Sequence, residues 1–321
     1  MIFKKFAGSE EEVSLLGYGA WGIGKAMWIG AEDKESKESL HAAIENGVNF
    51  FDSALVYGDG HSEKLIGEVE KECGKKLFIT SKIPSKKFEW PAYEGSTLQE
   101  SFPKDHIIRM TEKSLKNLKR DYIDLQQFHV WNDKWSIEDE WKEAVELLKS
   151  QGKVRYFGIS INDHQPENGI EAGKTGLIDS FQVIFNLFDQ SPIDNLFPFC
   201  EDNNIAVITR VPFDEGGLTG NITPDTNFPV GDFRNRYFRG DRKKEVWERV
   251  QKIQEIVNEE ISSMHEAALR FTISFPAVTT TIPGMRNKKH LLSNTESVIK
   301  GPLSSEIIEQ LKEHRWIRNF Y

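Results

Sequence analysis

The sequence predicts an α/β chain folded as a (β/α)8 barrel. Three observations predict it. Eight short runs rich in Val, Ile and Phe alternate with longer amphipathic stretches. Several of these runs are continuously apolar, as strands buried on both faces of a parallel sheet are. Charged residues stand at the ends of consecutive runs, where a barrel of this kind assembles its site.

The strand candidates cover residues 13–18, 48–52, 77–82, 122–129, 154–160, 180–186, 205–211 and 278–282. Helical patterns lie between them. Residues 36–46 put Leu40, Ala43 and Ile44 on one face and stop at Gly47, a residue suited to ending a helix. Residues 105–118 and 141–150 have the same pattern, with Gly152 closing the second. The interval from Val211 to Val278 is too long for one loop and one helix. Residues 216–239 are rich in Gly, Pro, Asn and Asp and predict a long loop, a feature usually tied to function in compact domains. Helices over 243–257 and 267–271 follow. No repeat, low-complexity tract or linker interrupts the pattern, so residues 1–321 are expected to form one domain.

Composition narrows the function classes. The net charge of −9 disfavours a nucleic-acid partner, since phosphate binding wants a basic face. No run approaches the ~18 apolar residues of a membrane span, and residues 1–12 carry no apolar run of the length expected of a signal peptide. Two cysteines, Cys73 and Cys200, make neither a disulfide framework nor a paired metal motif. A cytoplasmic protein is expected. His61, His106 and His164 have no partners at metal-like spacing, so surface or structural roles are expected and no metal.

The strand ends carry the chemistry. Asp52 ends the second strand, Lys82 the third and His129 the fourth, while Tyr57 sits on the loop above Asp52. A phenol ionises at about 10, too high for an efficient acid or base at neutral pH. A nearby ammonium would lower that value. Lys82 would supply the charge, Asp52 would hold Lys82, and His129 would hydrogen-bond the substrate oxygen or the phenol. The set is a tuned general acid for a carbonyl. None of the four stores a hydride, so a cofactor must bring it.

The run Gly47-Val48-Asn49-Phe50-Phe51-Asp52-Ser53-Ala54-Leu55-Val56-Tyr57-Gly58 resembles the signature of the aldo-keto reductases, as do Thr80-Ser81-Lys82, residues 121–129, residues 152–160, Ile282-Pro283-Gly284 and Asn294. The resemblance covers nearly the whole chain. It implies an enzyme that reduces aldehydes or ketones to alcohols, with Asp52, Tyr57, Lys82 and His129 as the catalytic tetrad. It implies cofactor contacts from Ala20, Trp21, Ser160, Gln182, Arg210, Pro212, Leu218, Gly220, Gly284, Arg286, His290 and Asn294. Ser160 and Gln182 match residues that hold the nicotinamide carboxamide. Ile161 stands where the family usually has Asn, with Asn162 one later. Arg210 stands where many members stack an aromatic, and a planar guanidinium can stack too. Some members carry Lys at the Gly284 position for the 2′-phosphate; here Arg286 takes that part. NADPH is the expected cofactor, with NADH possible.

Trp21, Trp28, Trp131 and Trp135 are candidate rim aromatics, Trp21 and Trp131 being expected to touch the substrate. Arg234, Arg236 and Arg239 in the long loop face either an anionic substrate, the cofactor phosphates or solvent. The GxGxxG run at Gly17, Gly19 and Gly22 lacks the helix start and the acidic residue about 20 positions on that a dinucleotide fold needs. Two rival readings use the same resemblance: a nucleotide-binding regulatory subunit, and a sugar dehydrogenase acting in the oxidative direction. Loops expected to set specificity are those around Trp28, residues 89–101, Trp131, residues 213–239 and the segment to Tyr321. The partner is a small molecule, and the oligomeric state is open.

Overall fold

The computed structural model describes residues 1–25, 30–257, 260–316 and 318–321. Trp28 lies outside the described residues.

Two short strands, β1 (Phe3–Lys5) and β2 (Glu12–Ser14), pair antiparallel as a hairpin. Eight parallel strands follow: β3 (Tyr18–Gly19), β4 (Phe50–Asp52), β5 (Phe78–Ile83), β6 (Ile123–Phe128), β7 (Val154–Ser160), β8 (Ser180–Ile184), β9 (Ala206–Arg210) and β10 (Val278–Thr281). Each pairs with its sequence neighbour. The ends of the sheet meet as well. Gly17 donates to the Thr281 carbonyl at 2.8 Å, Gly19 donates to Pro283 at 3.1 Å, and Leu16 and Gly19 bridge Thr281 and Gly284 in parallel. The sheet is therefore curled back on itself, with helices outside.

Alternation along the strands makes two cores. Phe50, Phe78, Leu125, Ala206, Ile208 and Ile282 fill the interior at the amino-terminal end, and the hairpin seals that mouth with Phe6 and Val13. Their odd-even neighbours, such as Phe51 and Ile79, pack outward against helices that include Asp33–Glu45 and His61–Cys73. The first expected strand is shorter than the apolar run at 13–18 implied. Val13 and Ser14 belong to the hairpin, and only Tyr18 and Gly19 enter the ladder with β4.

The glycines of the GxGxxG run belong to this closure. A Cβ at Gly19 would lie 2.7 Å from the Ile282 carbonyl oxygen, and one at Gly17 would lie 2.8 Å from the Ile282 side chain. A short 3-10 turn, Trp21–Ile23, follows in place of a long helix. The expected loop at 216–239 contains a 3-10 segment, Asp214–Thr219, and one helical turn, Arg234–Tyr237. Longer helices follow at Arg242–Gln254 and Met264–Ile273.

Candidate active site

Alternation carries inward-facing positions from the apolar layer at Phe50 and Phe78 up to Asp52 and Lys82. Lys82 is fully buried. Its Nζ donates to Asp52 Oδ1 at 2.8 Å, to Asp52 Oδ2 at 2.6 Å and to the Ser53 carbonyl at 2.8 Å. The Tyr57 hydroxyl stands 3.4 Å from the same nitrogen, and the ammonium lies 5.1 Å from the Tyr57 ring centre. Gln182 Nε2 donates to Asp52 Oδ1 at 2.8 Å, so the carboxylate is braced from the far side of the barrel. The Tyr57 and His129 rings meet edge to face at 5.9 Å. The four residues expected to converge do so.

The loop holding Tyr57 is fixed by a close backbone approach. Gly58 has φ +66°, and a Cβ there would fall 2.0 Å from the Gly24 carbonyl oxygen. Only glycine fits both the left-handed conformation and the gap.

The electrostatics differ from the expected tuning. Burial and the Asp52 carboxylate push the Tyr57 phenol well above its ordinary range, with Arg210 pulling the other way. The net shift is upward, because burial and Asp52 outweigh the cations around the ring. Burial lowers the Lys82 ammonium itself, opposed by Asp52. Burial, then Lys82 and Arg210, hold His129 well below the usual imidazole range. Tyr57 is thus a protonated donor at neutral pH and His129 a neutral ring.

Around the tetrad a series of contacts returns to its start. Tyr57 neighbours Trp21 at 6.5 Å, Trp21 meets Phe233 at 5.5 Å, Phe233 stacks on Tyr321 at 6.0 Å, and Tyr321 lies 5.9 Å from His164. Next to His164, Asp163 accepts from Trp90 Nε1 at 2.8 Å, and Trp90 packs edge-on against His129 at 4.8 Å. The wall combines apolar faces with few polar groups, as ligand sites do.

Trp131, expected at the rim, is a core residue. It is fully buried and packs against Phe128 at 5.0 Å and against Trp135 and Trp141 at 5.4 Å each. The strand end turns this indole outward from the barrel axis, where helix packing claims it. Trp135 is in the same cluster, its Nε1 donating to Ser96 O at 3.0 Å. Trp90 takes the wall position instead. Asn162 braces the Trp131 backbone, donating to its carbonyl at 2.9 Å and accepting from its N–H at 3.3 Å.

The residues expected to hold a nicotinamide cofactor fit one. Ser160 and Gln182 are partners across β7 and β8, and the buried Ser160 hydroxyl has no partner among the described residues. Such a pair suits an amide. Arg210 is tied by Nη2 to Asp163 at 2.6 Å and to Ile161 O at 3.1 Å, leaving its buried Nε without an acceptor among the described residues. Ala20 is buried at the start of the Trp21–Ile23 turn.

Pro212, Leu218 and Gly220 lie on the segment after β9. The Leu218 side chain is in the core, so only its backbone faces a ligand. Gly284 has open space where a Cβ would point. Arg286 packs across Gly22 and lies in the field of Asp232. His290 and Asn294 are on the helix Lys288–Ile299; Asn294 Oδ1 contacts His265 at 2.6 Å, and its buried amide nitrogen is unpartnered among the described residues. Arg234 grips Asp232 with two bonds of 2.9 and 2.8 Å, so its charge is committed within its own loop.

Sequence reasoning missed the segment around Glu215. Val211, Asp214 and Glu215 all have left-handed φ, +57°, +50° and +55°, each a strain of about 1–3 kcal/mol. Partners hold it in place. Asn186 donates to Val211 O at 2.9 Å, Tyr237 donates to Asp214 at 2.8 Å, Arg318 pairs with Asp214, and the Tyr321 hydroxyl donates to Glu215 at 2.5 Å. Burial pushes the Glu215 carboxyl up to about 7, opposed by the Tyr321 bond. Three left-handed non-glycine positions beside a site leave no pattern in sequence.

Comparison with known proteins bears on the fold and the family. The sequence model of the Aldo/keto reductase family matches residues 15–315. Aldo-keto reductase YhdN of Bacillus subtilis is 29% identical over 301 residues, covering 92% of this chain and 88% of its own. The uncharacterized oxidoreductase YqkF of the same organism is 30% identical over 312 residues, 97% of this chain and 95% of its own. Among solved structures, the glycerol dehydrogenase AKR11B4 of Gluconobacter oxydans superposes with a TM-score of 0.81 at 25% identity, covering 97% and 94% of the two chains. Among the described residues no helix is long and apolar enough to cross a membrane, and no cluster of three His, Cys, Asp or Glu is placed to hold a metal.

Proposed function

Because the chain belongs to the aldo/keto reductase family, oxidoreductases that act on carbonyl and alcohol groups with nicotinamide cofactors, we propose that it reduces aldehydes or ketones with NADPH, Tyr57 donating the proton. The observation that carries this reading is the fully buried Lys82–Asp52 pair in reach of the Tyr57 hydroxyl, inside an aromatic wall.

A bound nicotinamide cofactor would supply the hydride. Ser160 and Gln182 would hold its carboxamide, with Ala20, Trp21 and Arg210 beside the ring. Leu218 and Gly220 would offer backbone N–H groups to the pyrophosphate, with Pro212 lining the approach. Gly284, Arg286, His290 and Asn294 would take the adenosine side, with Arg286 at the 2′-phosphate. Tyr57, kept protonated, gives its proton to the carbonyl oxygen. His129, a neutral ring, orients that oxygen. Lys82 is the nearest charge to the phenolate that forms, and Asp52 and Gln182 fix Lys82. The tetrad serves either direction; the cofactor ratio and the substrate set which one runs.

The test is Tyr57→Phe. Aldehyde turnover should fall on the order of a hundredfold or more while NADPH binding, followed by quenching of protein fluorescence, stays intact. Wild-type turnover in the variant would remove Tyr57 from the mechanism. Tight NADPH binding with no turnover of any aldehyde by the wild type would favour a nucleotide-binding regulatory subunit.

A further inference from the structure

His164 is set up as a binding group, although neither its sequence context nor the tetrad asks for it. Its Nδ1 lies 2.5 Å from Asp189 Oδ2. Burial tends to raise the Asp189 carboxyl, but bonds from His164 and Ser191 outweigh it and hold it below the usual range. Asp189 Oδ1 accepts from the Ser191 hydroxyl at 2.5 Å and from its N–H at 3.1 Å. An ionised carboxylate only accepts, so the shared proton is on Nδ1. In the neutral ring Nε2 is then an acceptor. That nitrogen is buried and has no partner among the described residues. A buried polar atom left unpaired is costly, and here it is on a wall that leads back to Tyr57 on both sides.

The backbone sharpens the point. His164 has φ +57°, a conformation rare for residues other than Gly, Asn and Asp. The preceding Asp163 ties the same loop to Arg210 and Trp90. Adjacent residues thus face different partners, Asp163 the Arg210 guanidinium and His164 the Tyr321 ring.

We propose that His164, oriented by Asp189, is a specificity-determining residue whose Nε2 accepts a hydrogen bond from a hydroxyl group of the substrate. The inference rests on the reductase reading and deepens it. The preferred substrates are carbonyl compounds that carry a hydroxyl donor, such as short hydroxyaldehydes. An O-methyl ether of the same size cannot donate, and a deoxy analogue leaves Nε2 unpaired.

The experiment compares kcat/KM at pH 8 for matched hydroxylated, O-methylated and deoxy aldehydes of the same chain length. Wild type should favour the hydroxylated member by about tenfold to a hundredfold. His164→Asn, which tolerates the left-handed backbone, should lose that preference while keeping turnover of the deoxy aldehyde. Asp189→Asn should weaken the preference through the ring's orientation. Equal turnover of the three aldehydes by wild type, or an unchanged preference in His164→Asn, would overturn the assignment and leave the reductase reading standing. If wild type turns over none of the panel, both fall together.

Discussion

Removing the Asp52 carboxylate isolates a charge that has no access to water. Lys82 is fully buried and loses both carboxylate contacts in Asp52→Ala, keeping the Ser53 carbonyl at 2.8 Å and the Tyr57 hydroxyl at 3.4 Å. Gln182 loses its acceptor too. Breaking a buried pair by removing one partner costs about 3–5 kcal/mol. The cost depends on pH in a definite direction. Burial already places the folded Lys82 below its ordinary value, while the unfolded ammonium titrates at about 10.4. Between the two the unfolded chain binds the extra proton, so stability rises with pH. Without Asp52 the folded value drops further and that window widens. The penalty of Asp52→Ala should therefore be largest near pH 7 and shrink toward pH 10. Urea unfolding followed by tryptophan fluorescence at pH 7, 8.5 and 10 measures it. A penalty under about 1 kcal/mol at pH 7, or one that stays flat to pH 10, would refute the claim that this pair is a desolvated ion pair.

Glu215→Gln should be more stable than wild type at pH 8 and similar at pH 4.5. The folded carboxyl titrates at about 7, above its unfolded value of about 4.3, so the folded state holds the extra proton and wild-type stability falls as pH rises through that interval; parallel denaturant curves at the two pH values check it. Gly58→Ala should lower activity far more than Arg286→Ala does at saturating cofactor, because the new methyl meets the Gly24 carbonyl and displaces the loop that carries Tyr57; the kcat of the two variants decides. Arg286→Ala should raise the KM for NADPH about tenfold, the loss of a charge-assisted contact, with little change for NADH; equal shifts would show that Arg286 does not read the 2′-phosphate.

The strands and the tetrad were legible because both leave local marks. A parallel strand buried on both faces is an apolar run, and a charge at its end interrupts that run, as Asp52, Lys82 and His129 do. The first strand was misjudged because Val13 serves a hairpin that plugs the barrel, and a plug is as apolar as a strand. Trp131 misled for a related reason. It lies two residues beyond His129 in sequence, yet the chain turns it into the cluster with Trp135 and Trp141. Trp90, Phe233 and Tyr321 belong to loops already marked as variable, but nothing local tells which side chain of a loop reaches the centre. His164 was read as structural because its partner Asp189 is 25 residues away and the pairing exists only once β7 and β8 lie side by side. The pKa of Tyr57 was misread because the sequence shows the cation but neither the burial of the phenol nor the Asp52 carboxylate beside it.

The wall around Tyr57 draws on residues spread from Trp21 to Tyr321. During synthesis the tetrad residues, all within the first 129 positions, are made long before Phe233 or Tyr321 exists. A chain on the ribosome can hold every proton-handling group and still have no enclosed chamber. Contacts of such long sequence separation carry a high closure cost, as do those that join Gly17 to Thr281 at the barrel seam, so the wall needs the whole chain. Catalytic competence therefore reports that the whole chain has folded, and limited proteolysis near residue 321 should abolish it while most of the barrel persists.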